Sequence, residues 1–181
     1  MKDNLYYQNK LKCILSNEFT GQPDVDNETL IEFGYDAVEQ GEYRRAFQLF
    51  SIGFRIQGND PDLLNGMGIT LCEMGKLKFS KNILLAAEKK YPNHAITLAN
   101  LAGVYWEECD HDRALYFYTR ALKCDPSLIE VHFNLINLYY ERGDLFMAYI
   151  ACLNLITIDP DNEQAIELRD DIILNLGISL F

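Results

Sequence analysis

Few side chains in this sequence could do chemistry, and they are scattered. Histidines stand at 94, 111 and 132, and cysteines at 13, 72, 109, 124 and 152. A zinc site or a nucleophile–base pair needs such groups at short, fixed spacing, as in two histidines four residues apart on a helix with a glutamate between them. His94, His111 and His132 have no partner of that kind, and Cys109 with His111 falls in a short polar stretch that reads as a structural turn. The glycine-rich segments that cradle phosphates and the glycine-flanked serine of a nucleophile elbow are missing from the sequence. Neither a metal nor another cofactor is expected, and neither is catalysis. The cysteines occur singly, without a CxxC pair, which fits reduced thiols in a cytoplasmic protein better than a disulfide framework. One titratable pattern is regular: Glu39, Glu73, Glu107 and Glu141 are spaced 34 residues apart.

The same interval governs the residues that must position those glutamates. Ala46, Ser80, Ala114 and Ala148 are 34 apart, as are Gly41, Gly75, Cys109 and Gly143, and Pro92, Pro126 and Pro160. A constant period of this length marks a repeat architecture. Glycine at 41, 75 and 143 suits the left-handed residue that closes a helix, with Cys109 as the exception. The small residue that follows lets a second helix approach the first, with Phe50, Leu84, Tyr118 and Cys152 filling the space further along. Each proline stops propagation into the next hairpin, and Asp60-Pro61 reads as an N-cap with proline at the first helical position. Apolar residues between these marks recur at steps of three and four, as in Leu30, Phe33 and Ala37, or Leu98, Leu101 and Tyr105. The expectation is an all-α stack of four helical hairpins at 27–60, 61–94, 95–128 and 129–162. A helical extension precedes them over 1–26, with a helix at 3–18. A capping helix and tail follow over 163–181. In the capping helix Ile166, Ile173 and Leu176 are expected inward, and Glu163, Glu167, Arg169 and Asp170 outward. The apolar end, ISLF, either folds back or meets another chain, a homodimer being one such arrangement.

The segments GEYRRAFQLF, GKLKFSKNIL, HDRALYFYTRALKCDP and GDLFMAYIACLNLITIDP resemble tetratricopeptide repeats, and the resemblance covers residues 27–162. It implies an all-α, right-handed superhelical solenoid whose inner face is lined by the first helix of each hairpin and whose work is to bind polypeptides. ETLIEFGYDAVEQGEYRRAFQLF and DPDLLNGMGITLCEMGKLKFSKNIL are further similar to the start of class II chaperones of type III secretion. That similarity implies an N-terminal helix and a groove that holds a translocator client. A fourth full repeat and a generic third one depart from that pattern. The lysine, arginine and asparagine of the carboxylate clamp used by chaperone-binding repeats are replaced by Ile31, Tyr35, Asp62 and Ile96, so capture of a C-terminal carboxylate is disfavoured.

In this register the second, fifth, ninth and twelfth positions of each first helix share one face. They include Ile31, Tyr35 and Val38; Ile69; Ile96 and Trp106; and Phe133, Asn137 and Tyr140. About half should pack between repeats, leaving a strip on which Trp106, the single tryptophan, is a candidate anchor. Glu39, Glu73, Glu107 and Glu141 flank it, and their role is either a solvated face or the steering of a basic client. The expected partner is a protein or extended peptide, with basic residues if the glutamates contribute. With 16 Lys plus Arg against 27 Asp plus Glu, a formal charge of −11, the chain lacks the clustered cations that drive nucleic-acid binding. No apolar run approaches the ~20 residues of a membrane span, so stable membrane insertion is not expected.

Overall fold

The computed structural model of the chain describes residues 26–58 and 60–177. The helix expected at 3–18, Cys13 and the ISLF tail lie outside the described residues. Within them every regular element is helical: α1 (Asn27–Glu39), α2 (Tyr43–Gln57), α3 (Pro61–Glu73), α4 (Leu77–Lys90), α5 (Ala95–Glu107), α6 (His111–Cys124), α7 (Ile129–Glu141), α8 (Leu145–Ile158) and α9 (Glu163–Asn175). The fold is all-α, of the tetratricopeptide-like solenoid class. No described helix is long and apolar enough to cross a membrane.

Local chemistry sets where these helices begin. Asp26 accepts the Thr29 amide at 2.7 Å, Asp60 that of Asp62 at 2.8 Å, and Asn162 that of Ala165 at 3.0 Å. Each satisfies one of the orphan donors of a helix N-terminus. His94 does the same for α5 through Nδ1, which accepts from the Thr97 amide at 3.3 Å, so this histidine has a structural task. His132 is also accounted for: it is buried, and its Nε2 donates to the Pro126 carbonyl at 2.9 Å.

The turns that end the first helices are identical in bonding. Gly41, Gly75 and Gly143 have φ of 71°, 71° and 73°, and Cys109 takes the same left-handed conformation at 58°. In each turn the following amide reaches back five residues: Glu42 to Ala37 at 2.8 Å, Lys76 to Leu71 at 2.8 Å, Asp110 to Tyr105 at 2.9 Å and Asp144 to Tyr139 at 2.9 Å. This is the Schellman arrangement, which satisfies carbonyls the helix itself leaves open. Gly177 closes α9 in the same conformation, with φ 69°. The helix starts at residues 27, 61, 95, 129 and 163 place α9 at the register of a first helix.

The chain divides into two compact units, one ending at Lys76 and the other beginning at Leu77. In the first, Phe50 is fully buried with Leu30, Ala37, Ala46, Leu49 and Leu63. Its ring lies against Gly34 of α1 and Gly66 of α3, and a methyl group at either glycine would overlap it. In the second, α7, α8 and α9 close around Ile136, Ala148, Cys152, Leu155, Ala165 and Ile172. Burial pushes the Cys152 thiol up to about 11, so it stays protonated and inert. Arg120 of α6 ties neighbouring hairpins in this unit, donating to Glu88 at 2.8 Å and to the Pro92 carbonyl at 2.9 Å. In α9, Ile173 and Leu176 pack inward and Glu163 and Glu167 are exposed as expected. Arg169 and Asp170 are instead half-buried and paired with each other at 2.8 Å, a correction to their outward placement.

Candidate functional site

The twelfth and thirteenth positions of each first helix fall on its last turn, immediately before the Schellman turn. Glu39, Glu73, Glu107 and Glu141 are the final residues of α1, α3, α5 and α7, and all four are exposed. A carboxylate there opposes the helix dipole, costing roughly 0.3–1 kcal/mol, so the row does not arise from helix stability. Glu73 accepts a hydrogen bond from the Tyr43 hydroxyl at 3.2 Å.

In the first unit the apolar candidates are largely absorbed by the core. Ile31, Tyr35 and Val38 are half-buried and pack against the cluster around Phe50. Tyr35 stands edge-on to Phe50, with ring centroids 5.2 Å apart, and its hydroxyl donates to the Asp62 carbonyl at 3.4 Å. Burial, followed by the charges of Asp62 and Asp60, pushes its pKa up to about 12. Ile69 is half-buried.

The second unit presents its candidates more openly. Ile96 is 41% exposed and Tyr140 45%, and Asn137 is exposed as well. Trp106 is half-buried, its ring edge-on to Tyr118 at 6.2 Å. Phe133 is half-buried and packs against the cluster formed by α7, α8 and α9. Leu174 of α9, 75% exposed, extends the twelfth-position series of Trp106 and Tyr140. Asn175 beside it donates to the Tyr140 hydroxyl at 3.1 Å, so the ends of α7 and α9 meet side by side. Leu174 falls outside the candidates of the sequence because the four-repeat register takes 163–176 as a cap. The signal was its place 34 residues after Tyr140.

Exposed large apolar residues are not confined to first helices. Phe79 of α4, Tyr116 of α6 and Phe146 of α8 are all well exposed second-helix residues that the sequence did not single out. Among the described residues, no group of histidine, cysteine, aspartate or glutamate is arranged to hold a metal ion. Cys109 and Cys124 are exposed free thiols.

No protein-family model matches the chain. It is 26% identical over 140 residues to human tetratricopeptide repeat protein 6, covering 77% of this chain and 26% of that protein. It is 22% identical over 123 residues to a UDP-N-acetylglucosamine–peptide N-acetylglucosaminyltransferase of Giardia intestinalis, covering 68% of this chain and 8% of the transferase. The chain thus spans about a quarter or less of the curated relatives it matches. Among solved structures, MamA superposes with a TM-score of 0.67 at 16% identity, covering 84% of this chain and 83% of MamA. A structure of Naa15/Naa10 bound to HypK-THB superposes with a TM-score of 0.72 at 17% identity, covering 84% of this chain and 23% of the other. These likenesses agree with the 34-residue period and the repeated turn on a tetratricopeptide-type fold.

Proposed function

We propose that the chain is a non-catalytic, cytoplasmic protein-binding module that holds an extended segment of another polypeptide along its first-helix faces. The observation that carries this is the row of Trp106, Tyr140 and Leu174, apolar side chains at one register position of successive first helices, flanked by the exposed carboxylates of Glu107 and Glu141. Apolar residues presented at one register position of successive helices suit apolar side chains that recur along an extended peptide. The acidic flank favours a segment carrying Lys or Arg, chiefly through encounter rate and orientation. In the first unit Ile69, Glu39 and Glu73 offer the same chemistry on a smaller scale, because Ile31, Tyr35 and Val38 are engaged in packing.

The test is to identify the partner by affinity purification with mass spectrometry and then measure its binding to Trp106→Ala and Tyr140→Ala. At least one change should cost ~2 kcal/mol or more of affinity, as a buried aromatic anchor does, with helicity unchanged. Full affinity in both variants would move the site elsewhere. The narrower role, a chaperone holding a translocator before type III secretion, rests on the similarity of the first two repeats. The alternative, a permanent scaffold subunit, is favoured by the structural likeness to Naa15/Naa10, which was solved as an assembly. A partner that dissociates and is exported supports the first, and a lasting complex supports the second.

A further inference from the structure

The second unit carries a depression of about 260 Å³ that contains none of the first-helix candidates. Leu122 and Lys123 of α6, Leu135 and Tyr139 of α7, and Met147 and Ile150 of α8 are among its walls. Its origin is visible in the repeat register. Leu49, Ile83 and Phe117 occupy one position of the second helices, and α8 has Ala151 there. Ala151 lines the depression, so the space a larger side chain fills elsewhere is open here. The volume is below the roughly 300–1,000 Å³ of pockets that enclose small-molecule ligands, and the walls are mainly apolar. It is sized for a side chain.

The charge at its rim has the opposite sign to the first-helix row. Lys123 is exposed and is the one lysine, arginine, aspartate or glutamate in the lining. It takes part in none of the ion pairs of the described residues; Lys78, Lys89 and Lys90 of the same unit are likewise in none, but Lys123 alone of these lines the depression. Its place in the last turn of α6 favours that helix through the dipole, which leaves the ammonium directed to solvent beside an apolar cavity in a chain of net charge −11.

We propose that this depression is a second docking site, taking one large apolar side chain of a partner protein whose flanking residues are acidic, with Lys123 as the pairing cation. It shares none of the row's residues, although Leu135 and Tyr139 come from the same helix as Tyr140, and its charge preference is the opposite one.

Met147 provides the reporter, because the chain has four methionines and this one lines the cavity. With methyl-labelled methionine, the full chain is titrated with Ac-Glu-Phe-Glu-amide and, separately, with Ac-Lys-Phe-Lys-amide. The Met147 resonance, assigned by Met147→Leu, should shift with the acidic peptide at lower concentration than with the basic one, while those of Met67 and Met74 stay in place. Lys123→Glu, a change at an exposed side chain, should weaken the acidic peptide about two- to fivefold, the range of an exposed ion pair, and reverse the preference. Equal response to both peptides, no shift at Met147 into the millimolar range, or indifference to Lys123→Glu would overturn the proposal. A Met147 shift that grows with protein concentration before any peptide is added would also overturn it, by making a second copy the occupant. Trp106→Ala and Tyr140→Ala should leave these titrations unchanged, so loss of one site is distinguishable from loss of the other.

Discussion

Cys109 shows how far one residue departs from its own repeat. It holds a left-handed φ of 58° where the other hairpins use glycine, and its side chain is exposed. An L-residue in that conformation costs roughly 1–2 kcal/mol, and glycine would return part of the gain as unfolded-state entropy. Cys109→Gly should therefore stabilise the chain by roughly 1 kcal/mol in chemical denaturation, with no packing to lose. An unchanged or lowered midpoint would mean that the thiol makes up for the strain through contacts of its own. The position of this exception was legible in the sequence as a break in the glycine series. Its strain was not, because a cysteine at that place is equally consistent with a turn of different shape. Tyr35 marks the opposite limit. Its register position was right for a groove, yet nothing in a single sequence tells that Phe50 comes close enough to engage its ring.

At the scale of the element, the contact that organises α1, α2 and α3 is the Phe50 ring against two glycines. The need for a small residue at Ala46 was read from the period. Gly34 carries the same kind of signal, with Gly68 and Ala102 following at intervals of 34, whereas Gly66 carries none, since Glu32, Asn100 and Asn134 hold its register position. The role both glycines play against Phe50 exists only once three helices are packed. Gly66→Ala should cost about 1–3 kcal/mol, the usual penalty for overpacking a filled core. Adding Phe50→Leu, which trims the obstructing ring, should make the double variant less destabilised than the two single changes predict together. Thermal or urea melts of the four proteins give the coupling, and strict additivity would show that Gly66 is small for another reason. The C-terminal helix was legible as a helix with an inward apolar stripe. Its register as a fifth first helix was less so, because Arg169 and Asp170 look like surface residues and pair with each other half-buried instead.

Over the whole chain, the fold was legible because its signal is long-range: three residue series at one interval constrain every hairpin at once. The candidate site was legible in placement and not in exposure, which depends on how much each side chain surrenders to its neighbours. That is why Ile31, Val38 and Phe133 belong partly to cores while Tyr140 and Leu174 stand open. The glutamate row is the feature that sequence and structure describe alike. Changing Glu39, Glu73, Glu107 and Glu141 to glutamine preserves size and removes four charges from exposed sites. Association with a basic client should slow and lose much of its salt dependence, since exposed charges act within a Debye length of ~8 Å at physiological ionic strength. Dissociation should change little. Stopped-flow rates at two salt concentrations decide the matter. Equal rates together with a higher melting temperature would assign the row no part in binding, the stabilisation coming from relief at four helix ends.

The turn at Gly177 repeats, in conformation, the turn that delivers the chain from each first helix into the next second helix. A copy of Asp144–Ile158 placed directly after Gly177 would therefore arrive in step, with an aspartate again supplying the N-cap as Asp144 does for α8. Gly177 is in that sense a splice joint. Among the described residues, α9 thus carries both the start and the stop of a first helix, and Leu174, 75% exposed, stands at the end of it that such a second helix would follow.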